Sequence, residues 1–479
     1  MSHYKVLSLA AALIVFGGCA TNPVTGKREL SLISEKQEVQ IGKEQAQEAA
    51  EQMGLVNDPG LQQYVSSIGM ELAKHSERPE LPWQFHVIDD PTPNAFALPG
   101  GPVFVTRGLM TLMNSEAQLA TVVGHEIGHV TARHSVNQLS KQQLAQLGLG
   151  IGAVLVPGGD QVAGLASQGL ELLFLKYGRD DERQADELGF RYALNDGYDV
   201  REMGKVFLAL ERSSELEGAQ KIPDWQSTHP AEPERIANVD KRVAALGAGY
   251  KPGRVDGPEY LQHVNGLAYG ENPRNGFFRD GTFYHPEMKF QFTVPANWKT
   301  QNAPTAVQAI NPQQNGAVQL TVAGKGSPEQ AARQFQQQEG IEAGEATREN
   351  LNGVPSVVAP FQAQTQQGTL TGLAGFIGYG GTTYELVAYA PAQAFEQNEA
   401  AFRKIIRSFR PLDDPKILNV QPPKIEVVKL DRPMSLTQFA QQRSGGLSVE
   451  RLAVLNQVAD KNAPIPAGTQ LKRVVGEVH

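Results

Sequence analysis

His125 and His129 stand four residues apart in the stretch TVVGHEIGHVTARH, residues 121–134, with Glu126 directly after the first. On an α-helix, residues four apart lie one turn apart on the same face, so both imidazoles can aim a ring nitrogen at one ion. Glu126 is rotated by about 100° from His125. From there its carboxylate can reach a water beside the ion without binding the ion itself. The set therefore fits a divalent metal with a neighbouring base. It also fits two histidines hydrogen-bonded in a core, because a five-residue pattern of this kind arises by chance in about one in a hundred chains of this length.

A catalytic metal needs a third protein ligand and one open position. The stretch YGRDDERQADELGF, residues 177–190, offers Glu182 and Asp186, four apart on an expected helix and pointing the same way. Glu182 can bind the metal while Asp186, one turn on, accepts the ring N–H of a ligand histidine and sets its tautomer. The competing reading is a pair of solvated helix carboxylates. Ala185 and Gly189 beside them point instead to close packing against another helix.

Around these residues the pattern of apolar positions predicts mostly helices. Ser115 and Gln118 form a capping box ahead of Leu119, Val122, Val123, Ile127 and Val130, so 115–134 reads as a buried helix. Ser34 and Gln37 open another helix, and 59–76 a further one. Residues 82–110 alternate and break at Pro and Gly, as two or three short strands do, with an edge strand beside the metal helix. The apolar, Gly-rich run at 144–156 is shorter than the roughly 20 residues a membrane span needs, and reads as a buried or lid-like segment. Helices are expected at 161–176, 180–195 and 199–214.

The chain of 479 residues is long enough for about three domains. Its 43 Lys and Arg against 51 Asp and Glu leave a net charge of −8 without a basic stripe, which argues against nucleic acid as a partner. Residues 1–18 read as a secretory signal. Cys19, the sole cysteine, follows Gly17 and Gly18 and resembles the lipidated first residue of bacterial lipoproteins, although Phe16 stands where leucine is commoner. Ala20 in place of aspartate favours the outer membrane by the same resemblance. Residues 19–33 then read as a polar tether. A Gly- and Pro-rich shift at 251–273 precedes alternating strands, with a hairpin turn at Gly380 and Gly381 and a helix at about 392–409. A Pro-rich joint leads to a last module of about 50 residues.

HEIGH at 125–129, ERQAD at 182–186 and STHPAEPERI at 227–236, in that order, resemble the gluzincin metallopeptidase family that includes the CAAX prenyl proteases and the HtpX-like and BepA-like envelope proteases. The segment NAFALPGGPVFVTRGLM, 94–110, also matches its strand-turn-helix lead into the metal helix. This resemblance covers about residues 30–245. It implies one Zn2+ per chain held by His125, His129 and Glu182, with Glu126 as catalytic base. It brings His229 near the metal, as a donor to the oxyanion or as the occupant of the open position at rest. Asp186 would support a ligand histidine, and the strand Asn94, Ala95, Phe96 and Ala97 would pair with an extended substrate. His134 falls off the ligand face and reads as structural, as do His75 and His86.

Residues 265–410 resemble PsbP-like sheet domains. The final stretch resembles a LysM module, a class that binds peptidoglycan glycans, with SLTQFAQQ and SVERLAVLNQV as helices and IPAGTQLKRV as the closing strand. Here Arg432, Pro433 and Met434 replace the usual Gly-Asp-Thr. The expected fold class is multidomain: a mainly α zincin-type metallopeptidase domain with a small β-sheet at 34–250, an α+β sheet domain at 265–412, and a LysM-like βααβ module at 424–475. The expected function is a zinc endopeptidase of the cell envelope acting on unfolded or misfolded proteins, held to the outer membrane through lipidated Cys19 and facing the periplasm. Alternatives are an assembly or holding factor for outer-membrane proteins and a peptidoglycan-binding scaffold.

Overall fold

Directly after Cys19 the chain turns back on itself: in the computed structural model β1 (Cys19–Thr21) and β2 (Arg28–Leu30) pair as an antiparallel hairpin. The stretch 19–33, expected as a polar tether, is docked on the rest of its unit. Asn22 is only 3% exposed; its Oδ1 accepts from the amides of Val24 and Thr25, and its Nδ2 donates to the Ala132 carbonyl at 3.2 Å. Asparagine folds its own turn in this way, which a composition-based reading of a polar segment overlooks.

The structure describes residues 19–146, 177–217, 229, 234–303, 305–365, 368–443 and 445–476. The expected signal at 1–18, the helix at 161–176 and all but the first three residues of the lid-like run lie outside them. Two units are present, one built from Met1–Gly270 with Pro423–His479 and the other from Glu271–Pro422.

In the first unit, α1 (Glu35–Met53) starts with the expected capping box of Ser34 and Gln37, and α2 (Pro59–Lys74) starts with Asp58 as its cap and Pro59 at the first helical position. A three-stranded sheet follows, of β3 (Gln84–Ile88), β4 (Ala95–Ala97) and β5 (Pro102–Thr106), in the order β3-β5-β4, with β3 parallel and β4 antiparallel to β5. The short α3 (Arg107–Leu112) leads into α4 (Glu116–Thr131), the helix that carries both histidines; Ser115 accepts from the Gln118 amide, and every residue of α4 is buried. Next come α5 (His134–Gln146), α6 (Arg179–Asn195), α7 (Glu202–Glu217), α8 (Glu234–Ala245) and α9 (Gly257–Val264). The boundary between the units falls within the Gly/Pro-rich region 251–273, at Gly270, and most of that region belongs to the first unit because Tyr260, Leu261 and Val264 of α9 are buried in its core. The Tyr260 hydroxyl donates to the Met110 carbonyl at 2.6 Å.

The second unit is the expected α+β arrangement. Strands β6 (Phe277–Arg279), β7 (Thr282–His285) and β8 (Phe290–Thr293) form one sheet with the later β17 (Arg410–Pro411). The larger sheet contains β9 (Lys299–Ala303), β10 (Ala306–Ile310), β11 (Ala317–Gly324), β12 (Ile341–Ala343), β13 (Thr347–Leu351), β14 (Val354–Thr365), β15 (Gly368–Tyr379) and β16 (Thr382–Pro391), and runs β12-β14-β15-β16-β11-β10-β9 with β13 on β14. Gly380 and Gly381, at φ 61° and 82°, make the two-residue turn between β15 and β16. Successive side chains of a strand face opposite ways. Leu373 and Ile377 of β15 accordingly pack with Phe402 and Ile406 of α11 (Phe395–Arg407), while Ala374 and Phe376 pack with Phe335 of α10 (Pro328–Gln336).

The C-terminal segment returns to the first unit. β18 (Lys424–Lys429) pairs with β21 (Gln470–Val475), and α12 (Leu436–Arg443) and α13 (Val449–Leu455) lie between them, with Met434–Ser435 and Pro464–Ile465 as the short strands β19 and β20. This βααβ order was expected, but the expected separation from the metal-helix domain is not observed, because the segment packs into the same unit. The Gly266 amide donates to the Ile425 carbonyl and the Ile425 amide to the Leu267 carbonyl. Buried Lys472 donates from Nζ to the Thr111 and Met113 carbonyls, and Gln457 Nε2 donates to the Leu112 carbonyl at 3.2 Å. Helix ends leave carbonyls without intrahelical partners. The C-terminal segment supplies those partners where α3 turns into α4.

Candidate metal centre

Helices α4 and α6 meet through small residues. A Cβ on Gly189 would stand 2.6 Å from the His125 amide nitrogen, one on Gly124 3.1 Å from the Gly189 Cα, and one on Gly128 3.2 Å from the Ala185 Cα. This approach lets the short Glu182 side chain reach the histidine pair. His125 Nε2 and His129 Nε2 lie 3.0 Å apart, with Glu182 oxygens 3.6 Å from the first and 3.5 Å from the second. His229 Nδ1 joins them, 2.8 Å from Glu182 Oε1 and 3.3 Å from His125 Nε2. All four residues are buried, with one donor atom from each lying within 4.8 Å of the others.

These separations suit a shared cation. Ligand bonds of about 2.0–2.1 Å in a tetrahedron put donor atoms roughly 3.3–3.5 Å apart. Both carboxylate oxygens of Glu126 and Oε2 of Glu182 are buried and have no hydrogen-bond partner among the described residues. Buried carboxylate oxygens require compensation. A cation with its water would supply it here.

The second layer is charged. Arg235 of α8 donates to both oxygens of Asp186, at 2.9 and 2.6 Å, and lies 3.5 Å from Glu182. Asp186 Oδ1 is in turn 3.0 Å from His125 Nδ1. Burial pushes the Asp186 carboxyl up, but the Arg235 guanidinium and His125 together outweigh it and hold the group well below the usual carboxylate range. Burial alone would raise Glu182 as well, yet His229 and the other cations bring it below normal. Burial raises Glu126, against the pull of His229 and His125. For His229 burial opposes the proton, and Glu182 and Glu126 prevail, so its value is raised.

The structure brings Asp186 and His229 to His125, His129 and Glu182, with Glu126 beside them. Asn94–Ala97 form the edge strand β4 and its approach, packed against the metal helix α4 as expected, and all are buried. Cys19 lies in β1, next to the segment docked on Ala132. His86 packs against Phe104, consistent with a structural part. His134 is not among the four donor residues, as expected, but it lies directly behind one of them. The chain reverses after α4, and His134 Nδ1 comes 2.9 Å from His129 Nδ1. Neither Arg235 nor Tyr177 stands out as a site residue in the sequence; Tyr177 stacks on His129 with ring centroids 4.0 Å apart. The only signal for Arg235 was its place in STHPAEPERI, and an isolated tyrosine such as Tyr177 offers none.

Two histidines one turn apart, a glutamate from a second helix and, beside them, a buried glutamate without a hydrogen bond from the described residues define a metallopeptidase-type centre. Residues 59–243 match peptidase family M48, and the chain carries a metallopeptidase domain of that family. It is 30% identical over 271 residues to the beta-barrel assembly-enhancing protease of Escherichia coli (strain K12), covering 54% of each chain. It is 34% identical over 172 residues to the mitochondrial metalloendopeptidase OMA1 of Bos taurus, covering 34% of this chain and 33% of that one. The chain spans about half the length, or less, of these curated relatives. Among solved structures, cyanobacterial PsbP from Synechocystis sp. PCC 6803 aligns with 27% of this chain and 91% of its own at 11% identity and a TM-score of 0.23.

Proposed function

We propose that this chain is a zinc-dependent endopeptidase of the bacterial cell envelope that hydrolyses unfolded or misfolded proteins. The observation that carries this reading is the convergence of His125, His129, Glu182 and His229 beside the buried carboxylate of Glu126, which accepts no hydrogen bond from the described residues and lies 3.6 Å from His229 Nε2. Two imidazoles and a carboxylate suit zinc. When bound, zinc supplies Lewis acidity toward a carbonyl and lowers the pKa of water toward about 7.

Glu126 takes the proton of the attacking water and passes it to the leaving amine. Its burial, which raises its affinity for a proton, favours that duty. Asp186, anchored by Arg235, keeps the proton of His125 on Nδ1 and so leaves Nε2 as the ligand atom. His229 would help to hold the metal as a fourth donor, and its ring N–H would be available to the developing oxyanion. The edge strand at Asn94–Ala97 offers main-chain hydrogen bonds to an extended peptide with little demand on its side chains. Those residues are buried in this conformation, so binding requires an opening step.

Cys19 is the proposed lipid attachment site, on the outer membrane facing the periplasm. Among the described residues no helix is long and apolar enough to cross a membrane. The name of the E. coli relative supports a substrate among envelope proteins under assembly, and keeps a holding function as the second reading. The βααβ order of the C-terminal segment supports a LysM-like module with peptidoglycan as its ligand.

The test is metal content and casein cleavage, side by side, for the chain lacking residues 1–19 and its Glu126→Gln variant. One zinc in both, with chelator-sensitive cleavage only in the parent, is the expected result. Near-normal cleavage by Glu126→Gln would refute the assigned base. Zinc in both with cleavage in neither would favour the holding function.

A further inference from the structure

We propose that His134 is the positioning residue of the ligand His129, fixing its tautomer so that Nε2 faces the metal. The inference rests on the zinc reading above. It starts from the backbone. Helix α4 ends at Thr131, Ala132 caps it, and Arg133 takes φ 60°, a left-handed conformation that few residues other than glycine adopt. Such a turn persists only where its surroundings hold it. Here Arg133 donates to Glu38 Oε2 at 2.9 Å and to the Ile33 carbonyl at 2.9 Å. Glu38, fully buried, also receives both arms of Arg78, at 2.7 and 3.1 Å, and Arg78 donates to the Val130 carbonyl at 3.1 Å.

This reversal starts α5 with His134 folded back on the metal helix. The rings of His129 and His134 meet edge to face, 76° between planes, with Nδ1 to Nδ1 at 2.9 Å. On its far side His134 Nε2 lies 2.9 Å from Gln184 Oε1 and 3.7 Å from Asp181 Oδ1. Those oxygens accept and do not donate. The His134 proton therefore sits on Nε2, and the lone pair on Nδ1 accepts the Nδ1–H of His129. In the neutral His129 ring the remaining lone pair is on Nε2, the atom 3.0 Å from His125 Nε2 and 3.5 Å from Glu182 Oε1. His134 thus does for His129 what Asp186 does for His125. Gln184 belongs to α6, the helix that also carries Glu182 and Asp186, so one helix provides a ligand, the support of His125 and the partner that orients His134.

The experiment measures zinc affinity by chelator competition on the soluble chain lacking residues 1–19, as parent, His134→Ala and His134→Asn. Unfolding of each metal-free protein and the visible spectrum of each cobalt-loaded one accompany it. The asparagine variant returns an acceptor oxygen near the position of Nδ1. His134→Ala should bind zinc about 10- to 100-fold more weakly, with a changed cobalt spectrum, and His134→Asn should regain most of the affinity. A parent that binds zinc and a His134→Ala variant that binds it equally well would overturn the positioning role and leave the centre standing. Equal weakening in both variants, in proportion to their lost metal-free stability, would reduce His134 to packing and overturn the proposal too. A parent that binds no zinc would overturn the centre itself.

Discussion

Gly189 of α6 crosses α4 so closely that a methyl group on its Cα would meet backbone atoms of His125 and Gly124, at 2.6 and 2.9 Å. The helix that donates Glu182 is therefore in backbone contact with the helix that donates both histidines. Glu182 lies seven residues, two turns, before that crossing point.

Gly189→Ala should consequently harm both stability and metal binding. Alanine in a helix gains about 1 kcal/mol over glycine, whereas overpacking costs about 1–3 kcal/mol. The atoms in the way are backbone and cannot rotate aside, so the clash wins. A fall in the thermal midpoint of the metal-free protein together with weaker zinc binding is the expected result. An unchanged midpoint and affinity would mean that the two helices separate without consequence.

Arg235→Met should destabilise the fold by about 3–5 kcal/mol, because it leaves the buried Asp186 carboxylate without its partner. Both side chains are almost completely buried, at 5% and 4% exposure, which removes the screening that weakens surface pairs. Urea unfolding measures the loss. A double substitution, Arg235→Met with Asp186→Asn, should recover part of that stability while weakening zinc binding, since His125 would lose its carboxylate support.

Lys472 predicts a pH dependence. Burial holds its amine well below the ordinary lysine value. Below that depressed value the group is charged in both folded and unfolded chains, and the whole cost of burying the charge is present. Between it and about 10.4 the unfolded chain binds the additional proton, so stability rises with pH. Urea midpoints from about pH 7 to about pH 10 should therefore climb more in the parent than in Lys472→Met. Parallel curves would show that Lys472 keeps its proton when folded.

Lys472→Met bears on the centre as well. Lys472 and Gln457 complete the carbonyls at the end of α3, and Gln457 also bonds Gln118 in the first turn of α4. Gln118 lies seven residues before His125. Loosening that junction should weaken zinc binding modestly, which chelator competition would detect.

Much of the centre was legible because its features are local. Four-residue spacing places His125 and His129 on one face whatever surrounds the helix, and the same spacing ties Glu182 to Asp186. Capping at Ser34 and Ser115, the alternation of β15 and β16 and the Gly380–Gly381 turn are local in the same sense. Each depends on backbone geometry within a few residues.

What spacing along the chain could not supply were the contacts made by reversals and by distant segments. His134 reads as off the ligand face only if α4 continues, and the left-handed turn at Arg133, stabilised by Glu38 from 95 residues away, ends it. Arg235 is one arginine among many until α8 brings it to Asp186. The C-terminal segment looks autonomous by its own βααβ pattern, but Lys472 reaches Thr111 across 361 residues. Local periodicity determines which side chains share a helix face; the ordering of separate helices into one buried core determines which of those faces meet, and that ordering belongs to the tertiary structure alone.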